Sequence, residues 1–304
     1  MKIQCNNQAL KGILWFILSL FISSANDVVT KYLGSNIPAY EVVFLRFVFG
    51  TLTLLPFMLR DLNSFKTSRI QIHIIRGALL FGGILFWCLG LNAVKVTMAT
   101  VINFTIPIFV LILAVIFLKE TLNMFRIIAT AIGFIGIVVV INPTSLEFNY
   151  ISILLIVGSF MFASLDILNK KFVNNESMLS MLFYSSFFTM LFSLIPAMKI
   201  WITPSFQDLV LFLILGAGAN LILYCLLKAF ALVDASAVAP YRYIELIFSA
   251  GLGYIVFKEI PNHSTLVGAV VIIFATLFLA YELFIKHVSN KKLKQQNLTK
   301  ELAD

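Results

Sequence analysis

The sequence predicts an all-α integral membrane protein with ten transmembrane helices in two inverted five-helix repeats. Three observations predict this fold. Of the 304 residues, 61% are hydrophobic and 12% are charged, whereas a soluble domain is about 45–50% apolar and about 25% charged. The apolar residues form ten runs, each near the roughly 20 residues that a helix needs to cross a bilayer. Sequence features also recur at one spacing between the two halves of the chain.

Short polar turns separate the predicted spans, so no soluble domain is inserted. The clearest turns lie at 34–38, 142–145, 203–205 and 261–263, where glycine, proline and small polar residues interrupt the apolar runs. Helices are expected because a span must satisfy its own backbone hydrogen bonds, and these runs lack the alternation of a transmembrane strand. The spans are predicted at 10–33, 38–59, 71–93, 96–118, 123–142, 150–172, 177–199, 207–231, 236–257 and 264–286.

An internal duplication is indicated by matched residues in the two halves. Asp27 and Lys31 in the first span recur as Asp166 and Lys170 in the sixth, at an offset of 139 residues. A short run ending in Lys-Glu closes the fourth and ninth spans at the same offset. Because each half has an odd number of spans, the halves must run in opposite directions, as in many secondary transporters. The predicted domains are a first repeat at 10–142, a second repeat at 150–286 and a basic cytoplasmic tail at 287–304.

The distribution of lysine and arginine predicts the orientation. With the N-terminus inside, fifteen of these residues fall in cytoplasmic segments and four outside, while Arg46, Arg76 and Arg242 lie within spans or at their edges. This positive-inside bias predicts that both termini are cytoplasmic. Arg76 is interpreted as an orientation charge at a span edge. The net charge of +8 is attributed to orientation, so the expected partners are the lipid bilayer and a small-molecule substrate, with no nucleic acid; a homodimer is left open.

Polar residues inside the spans are the candidate functional residues, because a charge in hydrocarbon usually faces the bundle interior or a cavity. The densest segment opens the ninth span, where Tyr241, Arg242, Tyr243 and Glu245 follow Pro240. Arginine can hold a carboxylate through two hydrogen bonds, glutamate can hold an ammonium group, and aromatic faces can hold a ring or an onium group. The segment is predicted to bind substrate, and the alternative is a structural Arg–Glu pair with interfacial tyrosines.

Three further residues are candidates for the same site. Arg46, inside the second span, could hold a substrate anion or pair with Glu41 or Asp27. Asn103 and a nearby proline interrupt the fourth span, and such a discontinuity would expose backbone groups to a cavity. Trp87 could line that cavity or serve only in packing.

The repeated acid–base pairs have two interpretations. Because the repeats are inverted, Asp27 and Asp166 should lie toward opposite faces of the membrane. Lys31 and Lys170 each follow four residues later, on the same helical face as the acid. The pairs are either local ion pairs whose lysines reach the interface or matched outer and inner gates.

Motifs for catalysis or cofactor binding are absent from the sequence. There is no P-loop, no His-Glu-x-x-His zinc motif and no Gly-x-Ser-x-Gly motif. The three histidines lack metal-ligand spacing, and three cysteines cannot build a disulfide framework. No cofactor, metal site or catalytic residue is expected, and the protein is predicted not to be an enzyme. A membrane enzyme or scaffold is kept as the alternative from another class.

A family resemblance rests on residues around these candidates. It is carried by residues 23–27, 31–34, 46–47, 73–74, 76–77, 176–178, 180–185, 227–230, 233–235, 239–243 and 245–246. On these residues the chain resembles the drug/metabolite transporter superfamily with its EamA-type halves, and most closely its bacterial S-adenosylmethionine uptake transporters, from about residue 12 to 285. The resemblance implies import of S-adenosylmethionine, with exchange for S-adenosylhomocysteine also feasible. The alternative within the superfamily is an exporter of amino acids or drug-like cations.

What the resemblance implies is compatible with the candidate residues. S-adenosylmethionine has a carboxylate, an ammonium group, a sulfonium group and an adenine ring. Arg242 or Arg46 could hold the carboxylate. Glu245 or Asp27 could hold the ammonium group. Tyr241, Tyr243 or Trp87 could face the sulfonium group or stack on the adenine. The ligand carries a net charge of +1, so an inside-negative potential favours its entry by about 2.3 kcal/mol per 100 mV without ATP.

Overall fold

The computed structural model of the chain describes residues 2–93, 99, 102–121, 123–141, 150–258 and the positions 267, 270, 271, 274 and 278. Every regular element in these residues is a helix. The helices are α1 Lys2–Gly34, α2 Ala39–Arg60, α3 Ile70–Ala93, α4 Ile106–Leu113, α5 Met124–Ile141, α6 Tyr150–Phe172, α7 Met178–Lys199, α8 Phe206–Leu232, α9 Ala235–Val238 and α10 Glu245–Phe257. The predicted tail at 287–304 and most of the predicted span at 264–286 lie outside the described residues.

Six of these helices, α1, α2, α3, α6, α7 and α8, are long and apolar enough to cross a membrane. They coincide with the first, second, third, sixth, seventh and eighth predicted spans. Two shorter apolar helices, Ile106–Leu118 and Met124–Ile135, coincide with parts of the fourth and fifth predicted spans. The described residues thus confirm an all-helical fold with several spanning helices, while the total of ten is taken up below as a proposal.

Helices from the first half of the chain pack on helices from the second half. The main pairs are α1 with α8, α2 with α7, and α3 with α6, and smaller contacts join α2 to α8 and α3 to α7. Exchanging α1 with α6, α2 with α7 and α3 with α8 reproduces the same set of pairs. Two halves related by a two-fold axis in the membrane plane would pack in this way, so the packing supports an inverted duplication.

A backbone feature recurs at the offset seen in the sequence. Among the described residues, Lys119 (φ 55°) and Lys258 (φ 56°) are the non-glycine residues with positive φ. Each follows the last turn of an apolar helix, a position where a left-handed residue commonly ends the helix. This conformation is unfavourable for a residue with a Cβ, so its presence at two positions 139 residues apart supports a common local structure in both halves.

The two ends of the bundle carry different turns. We call the end where α1 begins the proximal face, and it includes the turns at 61–69, 173–177 and 233–234. The opposite end is the distal face, with turns at 35–38 and 200–205. At the distal face Glu41 accepts a hydrogen bond from the backbone N–H of Ile202 at 2.9 Å. Glu41 is therefore used to hold a turn and does not pair with Arg46.

Helices α2 and α8 approach each other closely at Gly216. A Cβ at this position would lie 2.5 Å from the backbone nitrogen of Gly50 and 2.7 Å from the carbonyl oxygen of Arg46. We therefore expect Gly216→Ala to lower the free energy of unfolding by about 1–3 kcal/mol, as overpacked core substitutions do. The measurement is the melting temperature of the purified protein in detergent.

Gly251→Ala on α10 is the matched control, because a Cβ there meets nothing within 4 Å. This variant should melt at the wild-type temperature or slightly above it, since alanine is the better helix former. Equal melting temperatures for the two glycine variants would contradict the close approach of α2 and α8.

Candidate functional site

A cavity of about 150 Å³ lies at the centre of the bundle and is lined by residues from both halves of the chain. Its charged lining residues are Asp27, Arg46, Asp166, Arg242 and Glu245. Trp87 and Asn103 also line it. Among the described residues, the lining therefore has three carboxyl groups and two guanidinium groups. The cavity therefore offers polar groups of both signs, with an excess of acid, inside an otherwise apolar bundle.

The segment that opens the predicted ninth span is not a continuous α-helix. α9 ends at Val238, a 3₁₀ helix covers Ala239–Ile244, and α10 begins at Glu245. Pro240 lies in the first turn of this 3₁₀ helix, where its fixed φ is tolerated and its missing N–H matters least. Because a 3₁₀ helix has three residues per turn, Arg242 and Glu245 share one face, which is the face that lines the cavity.

The same geometry turns both tyrosines of this segment away from the cavity. Tyr243 is fully buried, its hydroxyl donates to the carbonyl of Thr130 at 3.1 Å, and its ring packs edge-on against Phe104. Tyr241 is 4% exposed and belongs to the main hydrophobic core. Neither tyrosine lines the cavity. The cavity gives no direct support to their predicted contact with substrate, which stays a prediction. For Tyr241 the prediction uses the four-residue spacing to Glu245, which places two side chains on one face of an α-helix but not of a 3₁₀ helix.

In the proximal half of the cavity, Arg242 is already paired. Its Nη2 lies 2.5 Å from Oδ2 of Asp166 on α6, and the two side chains are 15% and 7% exposed. Arg242 and Glu245 are close enough for their charges to interact, but the short ion pair of Arg242 among the described residues is with Asp166. The ion pair thus engages Nη2 of Arg242 before any ligand arrives, while its buried Nε has no hydrogen-bond partner.

In the distal half of the cavity, Arg46 is available. It is 6% exposed, it lies close enough to Asp27 for their charges to interact, and its buried Nε has no hydrogen-bond partner. Asp27 itself accepts a hydrogen bond from the indole N–H of Trp87 at 2.9 Å. That bond holds the Trp87 ring in place at the wall of the cavity. A ligand carboxylate would thus find an Nε–H without a hydrogen-bond partner here and a fixed aromatic face beside it.

Asn103 lies at the predicted interruption of the fourth span. The helical turn at residues 102–103 is broken at 104–105, and α4 starts at Ile106 with a proline at its beginning. The Asn103 side-chain oxygen accepts a hydrogen bond from Ser159 of α6 at 3.0 Å. The expected discontinuity is therefore present, and it lies beside the cavity.

Neither predicted lysine–aspartate pair is visible as a short ion pair. Lys170 donates instead to the carbonyls of Phe230 at 2.8 Å and Val233 at 2.7 Å, which end α8. Asp166 has Arg242 as its partner. In the first repeat, Nζ of Lys31 lies 4.8 Å from the ring centre of Phe257. The i, i+4 spacing predicts that lysine and aspartate share one helical face. In the second pair, however, Lys170 and Asp166 each bind a partner in another segment of the chain.

Lys170 belongs to a polar cluster that we call the proximal clasp, formed by Glu120, Arg126 and Lys170 around the turn at 233–236. Glu120 accepts hydrogen bonds from the backbone N–H groups of Ala235 and Ser236, each at 3.1 Å. Arg126 donates to the Ser236 hydroxyl at 2.7 Å. The clasp satisfies backbone groups at the end of α8 and the start of α9, which helix ends leave unpaired, and it joins three other segments to this turn.

One residue near the cavity has contacts that the sequence did not predict, and a second was not among the predicted site residues. Arg76, interpreted as an orientation charge, is fully buried and donates from Nε to Oδ1 of Asn169 at 2.9 Å. Asn169 lines the cavity and was not a candidate. A signal was available, because Asn169 follows Asp166 by three residues and so shares its helical face.

Comparison with known proteins gives a family and several relatives. The model of the EamA-like transporter family matches residues 10–142 and 149–281. The chain is 51% identical over 280 residues to the S-adenosylmethionine uptake transporter of Rickettsia prowazekii, covering 90% of this chain and 95% of that protein. It is 50% identical over 295 residues to the transporter of the same description in Rickettsia conorii, covering 95% and 100%.

More distant likenesses show the same overall arrangement. A riboflavin transporter of Vibrio cholerae is 28% identical over 277 residues, covering 89% of this chain and 93% of that protein. One solved crystal structure superposes with a TM-score of 0.69 at 15% sequence identity, covering 90% of this chain and 96% of the other. At that identity the superposition shows the shared fold alone.

Proposed function

Because the chain belongs to the EamA-like transporter family, we propose that it is a secondary-active carrier that imports S-adenosylmethionine by alternating access. Relatives described as S-adenosylmethionine uptake transporters are about half identical to it over most of both chains. Since those relatives are transporters, an enzymatic role is disfavoured. In an exchange mode, S-adenosylhomocysteine, the demethylated product of S-adenosylmethionine, would leave the cell as S-adenosylmethionine enters.

The observation that carries the substrate assignment is the excess of carboxyl over guanidinium groups among the described residues of the cavity lining. S-adenosylmethionine has one carboxylate, one ammonium group and one sulfonium group, and so carries +1. Buried charges need compensation by opposite charge, and this ligand supplies it while also presenting a carboxylate for an arginine. An inside-negative potential would then draw the cation inward by about 2.3 kcal/mol per 100 mV.

The contacts support a choice between the two candidate arginines. Both arginines have a buried Nε without a hydrogen-bond partner. Arg242 is engaged by Asp166 in an ion pair, whereas Arg46 has no ion pair of this kind among the described residues, so Arg46 is the arginine we propose for the carboxylate. Asp27 lies beside Arg46 and keeps one carboxylate oxygen beyond its bond to Trp87, so it suits the ammonium group. The fixed face of Trp87 suits the sulfonium or the adenine. Glu245 and Asn103 complete the proposed lining.

The size of the cavity supports a conformational step. Its volume of about 150 Å³ is below the range of about 300–1,000 Å³ that is typical of pockets for drug-sized ligands. The cavity must therefore widen to admit this ligand. Rocking of the two halves about the site would widen it first at one face and then at the other.

We assign the proposed gates by position along the bundle. At the proximal side, the Asp166–Arg242 pair and the clasp that contains Lys170 would form the gate that opens for substrate release. At the distal side, Asp27 and Lys31 would form the gate that opens for substrate entry. The topology that goes with this is ten spans in two inverted repeats, 10–142 and 150–286, with the tail at 287–304. The proximal face would be cytoplasmic in the bacterial inner membrane, since the proposed topology assigns fifteen basic residues of the sequence to that side and four to the other.

The test of the proposed function is uptake of radiolabelled S-adenosylmethionine into cells that express the chain, compared with an empty vector. We expect saturable uptake that is competed by S-adenosylhomocysteine but not by methionine or adenosine. No uptake by correctly inserted protein would contradict the substrate. The exporter of amino acids or drug-like cations would then become the leading assignment.

A further inference from the structure

Arg76 is a buried arginine that its neighbours hold in one orientation. Nε donates to Asn169 Oδ1 at 2.9 Å, and Nη1 donates to the carbonyl of Met181 at 3.2 Å. Nη1 also lies 3.1 Å from Nδ1 of His73. Arginine has no acceptor, so His73 accepts through Nδ1 and carries its proton on Nε2, which lies 3.6 Å from Oε2 of Glu176. These contacts link the proximal face to the wall of the cavity.

The orientation of the Asn169 carboxamide follows from its neighbour. Because Arg76 can only donate, the carboxamide oxygen must face it and the amide nitrogen must face away. Asn169 is fully buried and lines the cavity, and its Nδ2 has no hydrogen-bond partner. Buried donors are almost always paired, and one that is not needs an explanation. An acceptor on a bound ligand would explain it.

The position of Asn169 selects the part of the ligand. Asn169 lies near the proximal end of α6, which finishes at Phe172, whereas Arg46 lies toward the distal end of α2, which starts at Ala39. If the carboxylate binds Arg46, the other end of an extended S-adenosylmethionine molecule lies toward Asn169. That end is the adenine, whose ring nitrogens N1, N3 and N7 accept hydrogen bonds and cannot donate them.

We propose that the Asn169 carboxamide donates a hydrogen bond to a ring nitrogen of the substrate's purine, and that Arg76 is the positioning residue that orients it. This rests on the proposed function, because it deepens the substrate assignment of the same cavity. It separates the two ends of the site: Arg46 recognises the amino acid part, and Asn169 recognises the base. A sulfonium amino acid without a nucleoside would use only the first.

The first test changes the ligand and leaves the protein unaltered. Affinities of the purified chain in lipid nanodiscs are measured for S-adenosylmethionine and for three analogues in which N1, N3 or N7 is replaced by C–H. Loss of one hydrogen bond should weaken one analogue about tenfold and leave the other two within about twofold. Equal affinity for all three analogues and the parent would overturn the proposal.

The second test repeats the series in variants. Asn169→Leu, which keeps the branching at Cγ and removes the amide donor, should weaken the parent ligand about tenfold and should no longer distinguish the sensitive analogue. Arg76→Lys should reduce the ratio of the affinity for the parent ligand to the affinity for the sensitive analogue, because a lysine does not fix the orientation of the Asn169 carboxamide. Ser164→Ala, at a hydroxyl that is bonded within α6 itself, is the control and should keep the ratio. A wild-type ratio in Asn169→Leu would overturn the proposal.

The ratio of two affinities in one protein does not depend on how much of that protein is folded. S-methylmethionine, which lacks the adenosine, should bind wild type and Asn169→Leu equally. If the wild-type chain binds no S-adenosylmethionine, the proposed function itself fails. If it binds S-adenosylmethionine but ignores the ring nitrogens, only the role of Asn169 fails.

Discussion

Replacing Arg46 with leucine is expected to reduce S-adenosylmethionine uptake to the level of the empty vector. The substitution removes the guanidinium proposed for the ligand carboxylate and leaves that carboxylate facing an acidic cavity. Hydrogen bonds to charged groups contribute about 1.5–3 kcal/mol each, so losing a two-bond contact should weaken binding by about 100-fold or more. Initial uptake rates over a range of substrate concentrations measure the effect.

Two comparisons make the Arg46 experiment specific. Arg46→Lys keeps the charge and loses the planar fork, so it should raise KM about tenfold with less effect on the maximal rate. Arg60→Gln is the matched control, because Arg60 is an exposed arginine at the proximal end of the same helix, and it should transport normally.

The ligand offers an independent check on Arg46. The methyl ester of S-adenosylmethionine lacks the carboxylate charge, so it should compete poorly for the wild-type protein and equally poorly for the lysine variant. Strong competition by the ester, or normal uptake by Arg46→Leu, would place the carboxylate elsewhere in the cavity.

Breaking the Asp166–Arg242 pair is expected to stop transport and to destabilise the protein. Both side chains are mostly buried, and removing one partner of a buried pair leaves an uncompensated charge at a cost of about 3–5 kcal/mol. Arg242→Ala and Asp166→Asn should therefore abolish uptake and lower the melting temperature in detergent, while both variants still insert. Transport at the wild-type rate by either variant would remove this pair from the cycle.

A second aspartate–arginine pair provides the control for that experiment. Asp234 lies 3.3 Å from Arg126 and its side chain is 53% exposed, and exposed pairs contribute only about 0–1 kcal/mol. Asp234→Asn should leave the melting temperature nearly unchanged. The exchanged double variant, Asp166→Arg with Arg242→Asp, should recover much of the lost stability, and its uptake shows whether the orientation of the pair matters for transport.

Run length and composition were sufficient to identify a helical membrane protein and the bounds of most of its helices. A run of some 20 apolar residues can satisfy its backbone only as a helix in a bilayer, so predicted and observed helices agree at α2, α3, α6, α7 and α8. The cavity residues were partly predictable for the same reason. A charge such as Arg46 or Asp166 inside an apolar run has to face the interior, and both line the cavity.

The partners of those charges were decided only by the tertiary structure. Spacing along one helix shows which residues share a face, but Asp166 pairs with Arg242 and Lys170 with the carbonyl of Phe230, each from a segment distant in sequence. The same holds for Arg76, whose burial depends on α6 and α7 packing around it. The 3₁₀ turn at Ala239–Ile244 selected the cavity-facing residues of its segment, because at 3.0 residues per turn Glu245 shares its face with Arg242, three residues before it, and not with Tyr241, four residues before it.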